Sequence, residues 1–277
     1  MTYSIVARDK KTGQLGVAVQ THWFWVGNNV PWLESGVGAI ATQAQTNMDY
    51  GKKWLELLEQ GKNPEEVFQS IAKNDPSVQM RQVAIMNSTG KIFAHTWTGC
   101  IPYADFLIGD GFVVQGNILT SEKVLPAMKQ AYEENKNTDF ATRLYLSLKA
   151  GEEAGWELRG VQSAALRIVS WKKEEYDIIN LRIDDHHAPL GEIHRQLQIQ
   201  KAYNLLNAAE EEWDTGSIEK SLELFSHALD IIPESEEFLF WKAFMLKNRG
   251  KRKDAEKIFL EHFLGEEKWK ELWNRIK

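Results

Sequence analysis

The sequence predicts an α+β protein in two parts: a four-layer αββα domain over residues 1–190 and an all-helical tail over residues 193–277. Three observations predict it: strands joined by hairpin turns, helices grouped in pairs between the strands, and a repeat near the end of the chain. Hairpin-linked strands favour antiparallel sheets, whereas a regular alternation of strand and helix would favour a doubly wound parallel sheet. Two packed sheets between two helical layers would accommodate this order of elements.

The first two strands are expected to form a β-hairpin. Thr2–Arg8 and Leu15–Thr21 are rich in β-forming residues, and the turn residues Lys10–Gly13 separate them. The same reasoning predicts further strands at Val37–Gln43, Gln82–Met86, Ile92–Trp97, Phe112–Gln115, Val161–Val169 and Tyr176–Ile183.

Two pairs of helices separate these strands. Periodic apolar residues predict a helix over Tyr50–Gln60. Asn63 is typical of an N-cap, because Pro64 follows it and Glu66 stands three residues further on. The second pair of helices is expected at Ser121–Glu134 and Asp139–Ala154.

The tail contains an internal repeat. Gly216 and Gly250 are 34 positions apart, and so are Phe225 and Phe259. This period, with small and aromatic positions in the same order, resembles the tetratricopeptide repeat. Stacked helix pairs of that kind present a concave surface, so a peptide or protein partner for the tail is one expectation.

Composition limits the classes of partner. The chain of 277 residues carries a formal charge of -6 and has a pI of about 5.7, which argues against nucleic acid as a partner. Its one cysteine, Cys100, cannot form an internal disulfide. No signal peptide and no apolar run of about 20 residues is visible, so we expect a cytoplasmic protein without a membrane partner.

Familiar cofactor and nucleophile motifs are absent from the sequence. It contains no phosphate loop, no Gly-x-Gly-x-x-Gly fingerprint and no Gly-x-Ser-x-Gly elbow. The run Asp184–His187 could hold a metal ion or could simply be a polar strand end, and we favour the strand end because adjacent side chains rarely point at one ion. We therefore expect neither a metal nor a cofactor.

Thr2 is the candidate nucleophile. Removal of Met1 would expose the α-amine of Thr2, whose pKa of about 7.7–8.0 suits a base acting on its own hydroxyl. Threonine is also small enough to permit removal of the preceding methionine. The alternative is that Thr2 is an ordinary second residue.

Many ordered segments of the first domain resemble one family. They are Thr2–Asp9, Gly16–Gln20, Val30–Trp32, Gly36–Gln43, Tyr50–Gly51, Arg81–Val83, Gln115–Leu119, Arg159–Ala165 and Arg182–His186. The chain resembles, over about Met1–Leu190, the family called domain of unknown function 1028. That family is grouped with the N-terminal-nucleophile hydrolases, so the resemblance implies an αββα fold and amide-bond hydrolysis with Thr2 as nucleophile.

The resemblance also suggests site residues, because several polar residues lie in the matching segments. Gln43 and Asn117 are candidates to stabilise the oxyanion, or else they satisfy buried backbone groups between the sheets. Arg159 suits a substrate carboxylate. The remaining candidates for substrate binding are Asp9, Gln20, Gln162 and Ser163. For Cys100 a buried, inert thiol is the favoured interpretation.

Two functions remain open. The protein is an amidase or peptidase acting on a small amide or peptide, or it is a non-catalytic binding module on a hydrolase-like scaffold. We also expect a homo-oligomer, because the chain has 11 tryptophans and several of them, Trp23, Trp25 and Trp32, fall near the N-terminal loops. The alternative is that these tryptophans line a pocket or pack within the core.

Overall fold

The computed structural model describes residues 2–156, 158–173, 175 and 177–275. The chain divides into two compact units, the first ending at His194 and the second beginning at Arg195. The described residues form ten strands: β1 (Thr2–Arg8), β2 (Leu15–Thr21), β3 (Pro31–Glu34), β4 (Gly38–Ala44), β5 (Arg81–Asn87), β6 (Ile92–Thr96), β7 (Asp105–Gly109), β8 (Phe112–Asn117), β9 (Ser163–Val169) and β10 (Asp177–Ile183).

Ten α-helices accompany the strands in the described part of the chain. Five belong wholly to the first unit: α1 (Val26–Asn29), α2 (Met48–Glu59), α3 (Pro64–Ala72), α4 (Val124–Glu134) and α5 (Phe140–Glu153). The other five form the helical C-terminal region: α6 (Pro189–Asp214), α7 (Ile218–Ile231), α8 (Glu236–Asn248), α9 (Arg252–Phe263) and α10 (Glu267–Arg275). None of the described helices is both long and apolar enough to cross a membrane.

The strands form two antiparallel sheets, as the hairpin pattern predicts. The first sheet has the order β10-β9-β2-β1-β8-β7, and the second has the order β3-β4-β5-β6. The sequence reasoning missed β3 and β7, which are both edge strands of their sheets. Each is short, and they begin with Pro31 and Asp105, which are residues that weaken a strand pattern.

Each sheet packs against one pair of helices and against the other sheet. The pair α4 and α5 contacts the first sheet, while α2 and α3 contact the second. A buried apolar cluster, which includes Val6, Val17, Ala39, Met86 and Val113, fills part of the space between the sheets. The central position of β1 in the larger sheet therefore places its inward side chains between the two sheets.

The predicted cap of α3 is present. The Asn63 N–H donates to Glu66 Oε2 at 2.9 Å, and the Glu66 N–H donates to Asn63 Oδ1 at 3.1 Å. These reciprocal bonds satisfy two backbone donors at the helix start. Sequence signals of this local kind determine where α3 begins.

The tail consists, in its described residues, of helices joined by short turns, and the turns at Gly216 and Gly250 match. Gly216 and Gly250 have φ angles of 88° and 77°. The residue after each glycine donates its N–H five positions back, Ser217 to the Glu212 carbonyl at 2.8 Å and Lys251 to the Leu246 carbonyl at 3.0 Å. The 34-residue offset in the sequence therefore corresponds to two turns of the same geometry.

Candidate functional site

The candidate site lies where β1 begins. Thr2 pairs with Thr21 of β2 on one side and with Asn117 of β8 on the other. Its side-chain hydroxyl lies 3.2 Å from the hydroxyl of Thr21, and the residue is only 5% exposed. Met1, whose removal the nucleophile prediction requires, lies outside the described residues.

A cavity of about 370 Å³ adjoins Thr2. Its described lining consists of Thr2, Trp23, Val26, Asn29, Val30, Ala44, Gln45, Thr46 and Arg159. Arg159 is the one charged residue in that described lining, and the other described residues are apolar or neutral polar. A cavity of this size suits a small ligand held by a few polar groups.

A network of buried amides lies beneath Thr2. Gln43 Nε2 donates to the Thr2 carbonyl at 3.2 Å and to Gln82 Oε1 at 2.8 Å. Asn117 Nδ2 donates to the same Gln82 oxygen at 2.8 Å. Gln82 Nε2 in turn donates to the Gly116 carbonyl at 2.7 Å and to Thr96 Oγ1 at 2.8 Å. Gln82 therefore links Gln43 and Asn117 across the two sheets and fixes the amide groups in place.

The hydrogen-bond network continues along the strands from Gln43 to Ser4 and Gln115. Ser4 Oγ donates to Gln43 Oε1 at 2.7 Å, and Gln115 Nε2 donates to Ser4 Oγ at 3.3 Å. Gln115 Nε2 also donates to the Ala41 carbonyl at 3.1 Å. Because Ser4, Gln43, Gln82 and Gln115 have no exposed surface, these bonds replace the water that the side chains lose.

Ser163 holds one wall of the cavity. Its hydroxyl donates to the Trp23 carbonyl and accepts the Val26 N–H at 3.2 Å. Between these residues Trp25 has a φ of 69°, a left-handed conformation that is uncommon for a bulky residue. Strained backbone of this kind needs support from its surroundings, and Ser163 supplies part of it.

A buried ion pair holds another part of the lining. Arg81 donates through Nε to Asp75 Oδ2 at 2.9 Å and through Nη1 to the carbonyl of Gln45, which lines the cavity. Hydrogen bonding to Arg81 is the main cause that lowers the pKa of Asp75 to about 2. Burial and the bond to Asp75 raise the pKa of Tyr50, whose hydroxyl donates to Asp75.

Of the eight predicted site residues, only Thr2 and Arg159 belong to the described lining of the cavity. Gln43, Asn117 and Ser163 lie next to it and bond to its surroundings, whereas the other three are directed elsewhere. Asp9 lies beyond the other end of β1, about 23 Å from Thr2 at the usual rise per strand residue, where it accepts the Thr12 N–H at 3.1 Å. Gln20 faces the helices instead, because its Nε2 donates to Glu152 of α5 at 2.8 Å. Gln162 donates to Asp185 Oδ1 at 3.1 Å and so holds the loop after β10.

The other residues singled out in the sequence have structural partners. The buried Cys100 thiol donates to the Arg81 carbonyl at 3.1 Å, and burial raises its pKa. Asp184 pairs with Arg182 at 3.1 Å, and His186 Nδ1 accepts the Ala188 N–H at 3.1 Å. In the described part of the chain, no group of three metal-ligating side chains is arranged to hold an ion.

Sequence reasoning missed Thr21, Gln82 and Arg81 as parts of this site. Thr21 stands next to Gln20 on β2, and only the choice of sheet face separates their roles. Gln82 and Arg81 open β5 and fall within a segment that carries the family resemblance, so that segment was the available signal.

Comparison with known proteins places the chain in a family. Residues 2–193 match the model of a family of unknown function, DUF1028. A crystal structure of a DUF1028 protein from Silicibacter pomeroyi is similar, with 29% identity, a TM-score of 0.65, and coverage of 71% of this chain and 88% of that one. No curated protein matches the sequence.

A second solved structure shows a weaker likeness. It is Anbu, an ancestral β-subunit from Yersinia bercovieri, with 11% identity and a TM-score of 0.33 over 70% of this chain and 92% of that one. Similarity at that level does not support an argument about fold or activity, so the assignment depends on the family model. Since that model covers most of the chain, the protein is a member of the DUF1028 family.

Proposed function

We propose that the protein is an amide-bond hydrolase of the N-terminal-nucleophile type, with Thr2 as its nucleophile and a small amide or peptide as its substrate. The observation that carries the proposal is the position of Thr2, which heads a central strand and lines a ligand-sized cavity. Two antiparallel sheets, each with its own helix pair, agree with the αββα layering of such hydrolases.

The proposed reaction proceeds in two steps. After Met1 is removed, the Thr2 amine accepts the proton of the Thr2 hydroxyl, and Oγ1 attacks the substrate carbonyl. The carbon–nitrogen bond breaks, the amine returns the proton to the leaving nitrogen, and an ester remains on Oγ1. Water then attacks this ester, and hydrolysis releases the acid and restores the hydroxyl.

Asn117 is the better of the two proposed oxyanion donors. Gln43 directs both of its amide protons into the interior, to the Thr2 carbonyl and to Gln82. Asn117 stands opposite Thr2 in the strand register and its amide gives one bond among the described residues, to Gln82, so we assign its second amide proton to the substrate oxygen. Gln43 would then act by positioning Thr2 rather than by touching the substrate.

The cavity lining favours a substrate with a carboxylate and an apolar group. Arg159 supplies the positive charge of the described lining, and Trp23, Val26 and Val30 supply an apolar wall. Ser163 serves this site by holding the Trp23 loop, and Arg81 serves it by holding Gln45. An apolar amide with a free carboxylate, such as a short peptide, meets both requirements.

Exposed apolar side chains surround this end of the sheets. They lie in the loops that border Thr2 and comprise Trp23, Phe24, Trp25, Met80, Ile101, Tyr103, Trp156 and Leu158. Patches of this kind mark interaction sites, so we retain the homo-oligomer as a proposal. Trp32 does not belong to this patch, because its side chain packs against Gly51. Light scattering should give a mass above that of the monomer, and Trp23→Ser with Phe24→Ser should lower it.

Covalent labelling tests the catalytic proposal. A β-lactone probe should acylate Thr2 in protein whose intact mass shows that Met1 is gone, and peptide mapping should locate the label. The matched control is the same chain with an uncleaved tag before Thr2, because its Thr2 nitrogen is an amide. Equal labelling of both samples, or a label elsewhere, would overturn the mechanism.

The second unit offers the basis for the alternative function. Its groove of about 470 Å³ is lined by Ile199, Tyr203, Ile231, Ile232, Pro233, Glu234 and Ser235. A largely apolar groove between helices is a common site for a peptide. If the probe labels nothing, a non-catalytic binding module with this groove as its peptide site becomes the better proposal.

A further inference from the structure

A second cavity of the first unit lies at the other end of β1. Its volume is about 340 Å³. The turn after β1, the turn before β8 and the segment between α4 and α5 contribute its lining, which comprises Arg8, Asp9, Lys10, Lys11, Asp110, Phe112, Glu133, Lys136, Asn137 and Arg143. Because Thr2 begins β1 and Arg8 ends it, this cavity is separate from the one beside Thr2.

The lining is positively charged although the whole chain is acidic. It contains five cationic side chains and three acidic ones, whereas the chain has a formal charge of -6. Positive charge concentrated in a concave site raises the local concentration of anions. The imbalance in charge therefore favours an anionic ligand over a cationic one.

Each of the three carboxylates is already engaged. Asp9 Oδ2 accepts the Thr12 N–H at 3.1 Å and the Thr12 hydroxyl at 2.6 Å, so it stabilises its own turn. Asp110 pairs with Lys10, and Glu133 pairs with Lys129 on the same helix at 2.6 Å. These bonds engage at least one oxygen of each carboxylate.

The remaining cations have no acidic partner among the described residues. Arg8 Nε donates to the Ser88 carbonyl at 2.9 Å, and Arg143 Nε donates to the Tyr132 carbonyl at 2.6 Å. Main-chain carbonyls orient the two half-buried guanidinium groups but do not neutralise them. Lys11 and Lys136 are exposed, and neither forms an ion pair within the described part of the chain.

Arg143 of the lining packs on a buried tyrosine. Tyr132 is 1% exposed, and its hydroxyl has no hydrogen-bond partner among the described residues. The Arg143 guanidinium lies 3.7 Å from the centre of the Tyr132 ring. Burial raises the pKa of Tyr132. Buried polar groups in native proteins normally have partners.

We propose that this cavity binds a small anion of the phosphate class, with Arg143 as its oriented contact and Lys11 and Lys136 as its outer charges, because the Arg8 guanidinium turns to the Ser88 carbonyl on the other face of the sheet. Guanidinium groups match the oxygens of phosphate through paired N–H donors, and ammonium groups add charge without a fixed direction. The proposal concerns binding alone and does not depend on Thr2 being a nucleophile.

Calorimetry on the full chain at low ionic strength tests the proposal, with inorganic pyrophosphate and ADP as two separate probes. We expect binding of pyrophosphate with a dissociation constant below about 1 mM. Tighter binding of ADP would indicate a nucleotide, and equal binding would indicate that the phosphate group alone is recognised. Absence of binding by both probes would overturn the proposal.

Charge reversal locates the site. The double variant Lys11→Glu, Lys136→Glu should weaken pyrophosphate binding at least tenfold. The control is Lys52→Glu, Lys62→Glu, which changes the net charge equally at exposed lysines beside α2 and should bind like the unaltered protein. Equal loss in both double variants would mean that the anion responds to net charge only, and the cavity would not be its site.

Discussion

The space between the two sheets has two unlike halves. The half near Thr2 is polar and hydrogen-bonded, whereas the other half is apolar. On five strands the side chains between the sheets are polar near Thr2 and apolar further along the strand. The polar residues are Thr2 and Ser4 on β1, Thr21 on β2, Gln43 on β4, Gln82 on β5, and Asn117 and Gln115 on β8. The apolar residues that follow them on the same face are Val6, Val19, Ala41, Ala84 and Val113.

This contrast bears on the role of the polar half. A buried amide costs free energy unless each of its polar atoms has a partner, and apolar residues would fill the same space more cheaply. The network is nearly complete, yet Gln115 Oε1 has no partner among the described residues. Polar groups that add little to stability are best explained by a site that needs fixed donors, which agrees with the proposed oxyanion role of Asn117.

The largest expected effect is a loss of turnover on substitution at the Thr2 end of β1 and none at its other end. Thr2→Ala should lower turnover by several orders of magnitude, as loss of a nucleophile does, because no hydroxyl remains to attack the substrate. Thr2→Ser should retain measurable turnover, since the hydroxyl and the amine survive. Asp9→Asn is the matched control at the other end and should leave turnover unchanged. A large loss in Asp9→Asn would show that the distant end takes part in catalysis.

The second largest effect is a difference in unfolding free energy between substitutions in the polar half and in the apolar half of β5. Gln82→Leu should lower the free energy of unfolding by at least about 3 kcal/mol, because Gln43 and Asn117 lose their acceptor and Gly116 loses a donor. Met86→Leu, in the apolar half of β5, should cost less than about 1.5 kcal/mol. Urea denaturation measures both. Equal costs would mean that the polar half is not a coupled network.

A smaller effect is expected at the cavity itself. Arg159→Gln should raise KM about tenfold for a substrate with a carboxylate, because one charge-assisted contact is lost, and should leave kcat nearly unchanged. When the carboxylate of that substrate is converted to an amide, the variant and the unaltered protein should have the same KM. A loss in kcat instead would assign Arg159 to the chemical step.

The sequence predicts local structure better than it predicts which residues meet. Asn63 and Glu66 form their cap from signals within four residues, and the Thr2–Thr21 hairpin follows from strand and turn composition. Gln20 and Thr21 show where this reasoning fails. They are adjacent, but alternation along a strand directs Gln20 to the helices and Thr21 to the cavity end, and only the packed sheet shows which face is which.

Distance along a strand is a second limit. Asp9 shares a segment with Thr2 in the sequence, but an extended strand carries the two residues to opposite ends of the sheet. Gln82 is far from Gln43 in the chain and meets it only through the pairing of β4 with β5. Contacts of this kind depend on the tertiary fold, and no local pattern in the sequence specifies them.

The smallest expected effect concerns the ion pair of Asp75 with Arg81. Lowering the pH should reduce its contribution to the free energy of unfolding. Asp75 has a pKa of about 2 in the folded protein, against about 3.9 for an unfolded aspartate. Its contribution to stability is therefore complete above about pH 4 and is lost as the pH falls toward 2. Asp75→Asn should be less stable than the unaltered protein at pH 6, because it leaves Arg81 buried without its counter-charge.

The difference in unfolding free energy between the unaltered protein and Asp75→Asn should narrow by about 1 kcal/mol between pH 6 and pH 3, since over this range the unfolded chain of the unaltered protein takes up a proton at Asp75 whereas the folded protein largely does not. Asp49→Asn, at an exposed carboxylate of α2, is the matched control and should parallel the unaltered protein across this range. Urea midpoints at the two pH values provide the measurement. A constant difference would mean that Asp75 keeps an ordinary pKa, and Arg81 would then hold the Gln45 wall without help from a depressed carboxylate.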